Sequence, residues 1–150
     1  MTTHKLVTTA AAALAAAATA AGAQAHGSAT TLQLKITGTK ISEVDVPPLV
    51  TSKTSPETPG DQVIAVSRVA GSAAGHRYLM CAATRTAPSV EQGLYACQVT
   101  YVLARGTITA SGVVHLSGRA TAAITGGTGA YAGARGVLTS VPGSDRLALR

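Results

Sequence analysis

Apolar and polar residues alternate along several segments of the chain, which is the pattern of β-strands that bury one face. The first alternating run is Thr31-Leu32-Gln33-Leu34-Lys35-Ile36, inside a strand predicted over 30–46. Further strands are predicted over 62–68, 76–84, 94–103, 119–125, 135–141 and 145–150, with one more directly after Arg105-Gly106. Glycines, prolines and serines separate these runs, and no helical periodicity appears after residue 25.

These eight short strands predict an all-β fold, an antiparallel eight-stranded barrel. Closing the sheet leaves no exposed edge strand, which an open sheet would have to protect. A two-sheet sandwich is the alternative. The 150 residues suffice for one domain. Residues 26–59 would supply the first strand and a proline-rich loop, and residues 60–150 the rest of the barrel.

Residues 1–25 have the pattern of a secretory signal peptide. Lys5 gives a positive start, the segment 6–23 carries no charge, and Ala23-Gln24-Ala25 is typical of a cleavage site. A retained membrane anchor is the competing interpretation, but the run consists mostly of alanine and threonine and is only weakly hydrophobic. The prediction is therefore a secreted, extracellular chain that begins at His26 and has no integral membrane association after cleavage.

The clearest hairpin joins the segments 76–84 and 94–103. Folding the chain about Ser89 places Cys81 directly opposite Cys97, and Arg77 opposite Tyr101. Opposed cross-strand cysteines are close enough for a disulfide, and an even pair in an exported protein is typically bridged. The bridge would close a loop of about 15 residues and stabilise the fold by about 3 kcal/mol.

The next hairpin is predicted to turn at Arg105-Gly106. The resulting opposed pairs are Leu103 with Ile108, Tyr101 with Ala110, Val99 with Gly112 and Cys97 with Val114. These residues are apolar or small while their neighbours are mostly polar, so one face of the meander is buried. Leu79, Val99 and Ala110 on that face are the predicted ligand-contacting residues.

The composition favours a cavity over a filled interior. The chain has no phenylalanine and no tryptophan, and an eight-stranded barrel lined by small aliphatic residues has room for one small ligand. A small apolar molecule is therefore the expected partner. The formal net charge is +6 and there are four tyrosines, but the basic residues stand singly, so the footprint of nucleic-acid binding is missing.

Three residues are candidates for chemistry in such a cavity. Arg77 is predicted to point inward, where it would bind a ligand carboxylate or phenolate, or it snorkels to water from the strand end. Tyr101 offers a phenol on an apolar wall. Asp61 is either a general acid near the barrel mouth or the cap of a turn.

His26, His76 and His115 lack the spacing of a metal site. No Ser-His-Asp arrangement is visible either. The sequence thus predicts no metal and no cofactor.

A glycine-rich stretch over 123–136 reads AITGGTGAYAGARG. It lacks the Gly-Lys-Ser/Thr ending of a phosphate-binding loop, and no amphipathic helix follows it. The prediction is a tight strand connection at a barrel rim, built on Gly126, Gly127, Gly129, Gly133 and Gly136. Arg135, within this stretch, is expected to hold the rim through backbone carbonyls.

The stretch is similar to the signature of the allene oxide cyclase and dirigent family of β-barrels. The resemblance runs from about Gly60 to Gly136 and includes Gly60-Asp61, Gly75, Gly106-Thr107-Ile108-Thr109 and Gly112 in the family's order. It implies an eight-stranded barrel with an apolar cavity. Plant allene oxide cyclases are trimers, so a homo-oligomer is compatible with it.

Two functions follow from the resemblance and the composition. The first is a cofactor-free cyclase or isomerase, or a dirigent-like protein, acting on a small hydrophobic molecule. The second is a non-catalytic secreted module that binds an apolar metabolite or a surface polymer. Plant cyclases use a glutamate and an asparagine on the first strand, where this chain has Gln33, Lys35 and Thr37. Whether the chain is an enzyme stays open on the sequence alone.

Overall fold

The computed structural model describes residues 29–46 and 57–150, which form one closed barrel of eight antiparallel strands paired in chain order. The strands are β1 (Thr30–Val44), β2 (Gln62–Gly71), β3 (Gly75–Ala83), β4 (Tyr95–Leu103), β5 (Gly106–Val114), β6 (Ala120–Gly127), β7 (Gly136–Val141) and β8 (Ser144–Leu149). Single 3₁₀ turns lie at Val90–Gln92 and Gly129–Tyr131. The predicted barrel is confirmed, and the sandwich alternative is wrong.

Two sequence predictions concern segments beyond this description. The signal peptide over 1–25 lies outside the described residues, as does most of the proline-rich loop, residues 47–56. Within the described part of the chain, no helix has the length and apolar character needed to cross a bilayer.

The barrel closes because β1 pairs with both of its neighbours. The first half of β1 pairs with β8, with Leu34 opposite Asp145, and its later residues pair with β2. The register against β2 shifts between Thr37 and Lys40, and Gly38 there has φ 59°. This bulge lets one long strand bend from one neighbour toward the other.

The β3–β4 hairpin has the predicted register. Cys81 lies opposite Cys97, Arg77 opposite Tyr101 and Leu79 opposite Val99. Side chains alternate along both strands, so the inward positions are buried while Tyr78 and Met80 are exposed on the outer face.

The β4–β5 register differs from the prediction by two residues. Tyr101 pairs with Ile108 and Val99 with Ala110, because the turn is at 104–105 and Gly106 already belongs to β5. A two-residue slip preserves the side-chain parity, so the inward face was still predicted correctly. Gly106 is not required by the turn. It is required because a Cβ at this position would collide with the Thr128 carbonyl.

The two ends of the barrel differ. The β2–β3, β4–β5 and β6–β7 connections meet at one end, which a cluster of buried apolar side chains fills; we call it the closed end. Its members include Leu32, Leu34, Val69, Tyr101, Leu103, Ile108, Ile124, Ala134, Leu138 and Leu147. The β3–β4, β5–β6 and β7–β8 connections meet at the other end, the mouth.

The glycine-rich stretch covers the closed end. The amide of Ala130 donates to the Arg105 carbonyl at 2.8 Å, and the amide of Thr128 donates to the Thr107 carbonyl at 2.9 Å. The stretch therefore folds over the β4–β5 turn as a strand connection, away from the mouth. Arg135 donates from Nη1 to the Ala134 carbonyl at 2.8 Å.

The predicted disulfide is present. Cys81 and Cys97 are bonded with an S–S distance of 2.07 Å, and no free cysteine remains. Cys81 is fully buried against Val63, Ala83 and Tyr95. The bridge ties β3 to β4 near the mouth.

Removing the bridge should destabilise the barrel. We expect Cys81→Ala/Cys97→Ala to lower the free energy of unfolding by about 3 kcal/mol, because the unfolded chain regains the entropy of a closed loop. Urea unfolding followed by circular dichroism measures this. A reductant should destabilise the wild type by a similar amount and leave the double variant unchanged; equal stability of the oxidised wild type and the double variant would contradict the prediction.

A substitution at Gly136 should destabilise the fold more than a substitution at another glycine with positive φ. Gly136 has φ 139°, and a Cβ there would overlap the Ala148 carbonyl on β8. Gly118 has φ 77° and nothing within 4 Å of that position. Gly118→Ala is the control and should lower the free energy of unfolding through backbone strain alone, by about 1 kcal/mol. We expect Gly136→Ala to lower the free energy of unfolding clearly more, because β7 must also move away from β8. Thermal unfolding of both variants measures this difference.

Candidate functional site

A cavity of about 440 Å³ opens at the mouth of the barrel. Its wall is mostly aliphatic and comes from strands all round the barrel, including Ile36, Val63, Ala65, Leu79, Val99, Ala110, Ala122 and Leu138. The wall residues are small, so the strands cannot fill the space between them. The three predicted ligand-contacting residues, Leu79, Val99 and Ala110, all line this cavity.

Arg77 is the charged residue at the inner part of the cavity. Its side chain is 11% exposed, and it lines the cavity. The sequence offered no acid beside it, but the structure places one there: Arg77 Nε lies 3.0 Å from Asp145 Oδ2. The geometry of this ion pair is too bent for a hydrogen bond from Nε.

Tyr101 completes a buried polar cluster with Arg77 and Asp145. The Tyr101 hydroxyl donates to Asp145 Oδ2 at 2.6 Å, and both residues are fully buried. Asp145 Oδ1 has no hydrogen-bond partner. Burial and the Asp145 carboxylate raise the pKa of Tyr101, because both disfavour a phenolate. Arg77 is the member of this cluster that faces the cavity, while Tyr101, predicted as a wall residue, acts behind it.

Asp145 was missed by the sequence reasoning. It follows the Pro142-Gly143-Ser144 turn as the second residue of β8, and an acid there resembles an ordinary turn residue. The signal lies in pairing across the barrel closure: β8 sits beside β1, and the inward parity of Leu147 places Asp145 inward as well. Only the closed barrel brings it across the interior to Arg77 on β3.

Asp61 lies at the start of β2 and holds the adjoining loop. Its Oδ1 accepts a hydrogen bond from the Val46 amide at 3.0 Å, and its Oδ2 accepts from the Thr58 amide at 2.6 Å and the Thr58 hydroxyl at 3.0 Å. Burial raises the pKa of Asp61, but these hydrogen bonds outweigh burial and lower it overall. Asp61 is not among the residues that line the cavity. These contacts are those of a turn cap.

His115 lies at the mouth, at the end of β5. Its Nδ1 is 2.8 Å from the Gly93 carbonyl, and since a carbonyl only accepts, Nδ1 carries the proton. In the neutral ring the lone pair is then on Nε2, which suits a proton acceptor. His115 lines the cavity together with Glu43. His76 is elsewhere, on the outer face beside Tyr78, with ring centroids 6.4 Å apart.

The polar groups thus occupy two levels of an apolar cavity. Arg77 pairs with Tyr101 on β4, whereas His115 follows Val114, the partner of Tyr95. Tyr101 and Tyr95 are separated by about 20 Å along an extended strand. One ligand group can therefore meet Arg77 at the inner level while another meets His115 or Glu43 at the mouth.

Comparisons with known proteins support the barrel at the level of the fold. No protein-family model matches the chain, and no curated protein sequence is significantly similar to it. The solved structure of a protein described as pyocyanin demethylase is similar, with a TM-score of 0.66 and 25% sequence identity over 81% of this chain and 100% of that one. That protein is a small eight-stranded barrel.

The contacts of Asp61 generate a pH-dependent prediction. We expect Asp61→Asn to lower the free energy of unfolding by about 2 kcal/mol at pH 7, because charged hydrogen bonds to the loop amides are lost. The folded pKa is below the ordinary value of 3.8. The Asp61 contribution is therefore present above that value and disappears as the pH falls through the folded pKa.

Urea unfolding of both proteins between pH 7 and pH 2 measures this. The difference between wild type and variant should shrink in acid. Glu43→Gln, at an exposed carboxylate, is the control and should change stability by no more than about 0.5 kcal/mol. A loss for Asp61→Asn that is the same at every pH would contradict the role of the charge.

Proposed function

We propose that this barrel binds and chemically processes a small, largely apolar molecule in its cavity, as a cofactor-free cyclase or isomerase or as a dirigent-like protein. The observation that carries the proposal is the cavity of about 440 Å³, whose largely aliphatic wall holds one guanidinium, the hydroxyl residues Thr39 and Ser140, and a polar mouth. Ligand sites in proteins have this size and this combination of apolar wall and few polar groups.

Two resemblances support chemistry rather than storage alone. The chain is 25% identical to a protein described as pyocyanin demethylase, whose name denotes a reaction on a small molecule. The glycine-rich stretch and its upstream motifs resemble the allene oxide cyclase and dirigent family. Both resemblances support the proposal that this chain acts chemically on a small molecule.

The residues at the inner level of the cavity and those at its mouth would have different roles. Arg77 would hold a polar atom of the ligand at the inner end, with Tyr101 acting through Asp145 to position the guanidinium. Leu79, Val99 and Ala110 would enclose the apolar body of the ligand and exclude water. His115 Nε2 would exchange a proton with the outer part of the ligand. Asp61, a predicted acid, would serve the site by fixing the loop beside β2.

Export is part of the proposal. A disulfide persists in oxidising compartments, and the Cys81–Cys97 bridge therefore supports the secreted location that the pattern of residues 1–25 predicts. An exported barrel would meet its ligand outside the cell.

The second candidate is a non-catalytic binding module for an apolar metabolite. The observation in its favour is the small number of ionisable groups on the cavity wall: among the described residues these are Arg77, Glu43 and His115. Turnover of a ligand that stops in Arg77→Leu or His115→Gln, while binding persists, would favour the enzyme. Binding without turnover would favour the module.

Filling the cavity should abolish ligand binding without touching a polar group. Ala110 lines the cavity, whereas Ser111 on the same strand is exposed on the outer face. We expect Ala110→Phe to reduce the affinity for a naphthalene-based fluorescent probe at least about tenfold, because the ring occupies the ligand's space. Ser111→Phe is the matched control and should bind normally.

Native mass spectrometry of the exported wild type and both variants adds a second readout. A copurified small molecule should be present in the wild type and in Ser111→Phe, and absent from Ala110→Phe. Equal probe binding by all three proteins would place the ligand outside the barrel and refute the proposal.

A further inference from the structure

The charge of Arg77 is already balanced within the protein. Asp145 Oδ2 lies 3.0 Å from Arg77 Nε and also accepts the Tyr101 hydrogen bond. Tyr101 stays neutral, because burial and the carboxylate both raise its pKa. The inner end of the cavity therefore holds one positive and one negative charge, and the other ionisable wall groups among the described residues, Glu43 and His115, lie at the mouth.

This charge balance decides to which kind of ligand oxygen the guanidinium donates its hydrogen bonds. A ligand carboxylate would bring a second negative charge beside Asp145 in a water-poor site, where an unpaired charge is very costly. A carbonyl oxygen accepts an N–H without adding charge. A ligand without oxygen would offer the guanidinium no acceptor, which is also unfavourable.

We propose that the barrel selects neutral ligands that carry a carbonyl oxygen, such as ketones, esters or lactones, and discriminates against carboxylates of the same shape. Asp145 is the specificity-determining residue, although it does not line the cavity. It acts through Arg77, whose charge it balances across the 3.0 Å ion pair. The inference rests on the proposed ligand cavity and specifies the chemical class that enters it.

The test is a series of naphthalenes that differ in one substituent: 2-acetylnaphthalene, methyl 2-naphthoate, 2-naphthoate and 2-ethylnaphthalene. The chain has no tryptophan, so naphthalene fluorescence can be titrated with little protein background. At pH 7.5 we expect the ketone and the ester to bind the full wild-type chain at least about tenfold more tightly than the carboxylate, and more tightly than the hydrocarbon.

Three variants separate charge from shape. Asp145→Asn keeps the size of the side chain but leaves Arg77 unbalanced, so the carboxylate should gain affinity and overtake the ketone. Tyr101→Phe removes a hydrogen bond without changing the charge, so the wild-type order should persist. Arg77→Leu should remove the advantage of the ketone over the hydrocarbon.

The outcomes distinguish this inference from the function on which it rests. If the wild type binds the carboxylate as tightly as its methyl ester, the selectivity is refuted while the cavity stands. If no probe binds, both proposals fail. Should Asp145→Asn not fold, the wild-type comparison of acid and ester still decides, and an unchanged order in a folded Asp145→Asn would refute the role of Asp145.

Discussion

The pairing of β1 with β8 is the constraint on which the rest of the structure depends. Without it the eight strands would form an open sheet with two unprotected edges. With it, Asp145 on the last strand is carried beside Leu34 on the first and across the interior from β3. The cavity, the ion pair and the difference between the two ends all follow from this one closure.

The two ends then meet different physical demands. At the closed end the backbones approach so closely that Gly106 and Gly136 have carbonyl oxygens where a Cβ would stand. Toward the mouth the strands surround the cavity, and the Cys81–Cys97 bridge links β3 to β4 within a small buried cluster that includes Val63 and Tyr95. The glycine-rich stretch, the most conspicuous feature of the sequence, thus serves the fold and covers the end of the barrel away from the mouth.

The sequence predicted the fold well because alternation and turn residues are local signals. It also predicted the disulfide and the inward face that carries Leu79, Val99 and Ala110. It misplaced the β4–β5 register by two residues, since a glycine required by a neighbouring backbone looks the same as a turn glycine. It missed Asp145 because nothing local distinguishes a strand-start acid that faces inward from one that faces water. Site chemistry set by non-local pairing is the part that strand patterns do not reveal.

The buried ion pair is hard to explain by stability. Replacing such a pair with apolar residues of similar volume is often neutral or stabilising. Asp145 also keeps one carboxylate oxygen without a hydrogen bond, a cost that a purely structural pair would be expected to avoid. Arg77 lines the cavity, whereas Asp145 and Tyr101 do not. This order, in which fully buried groups support one cavity-facing group, is what the proposed role of Arg77 as a ligand contact requires.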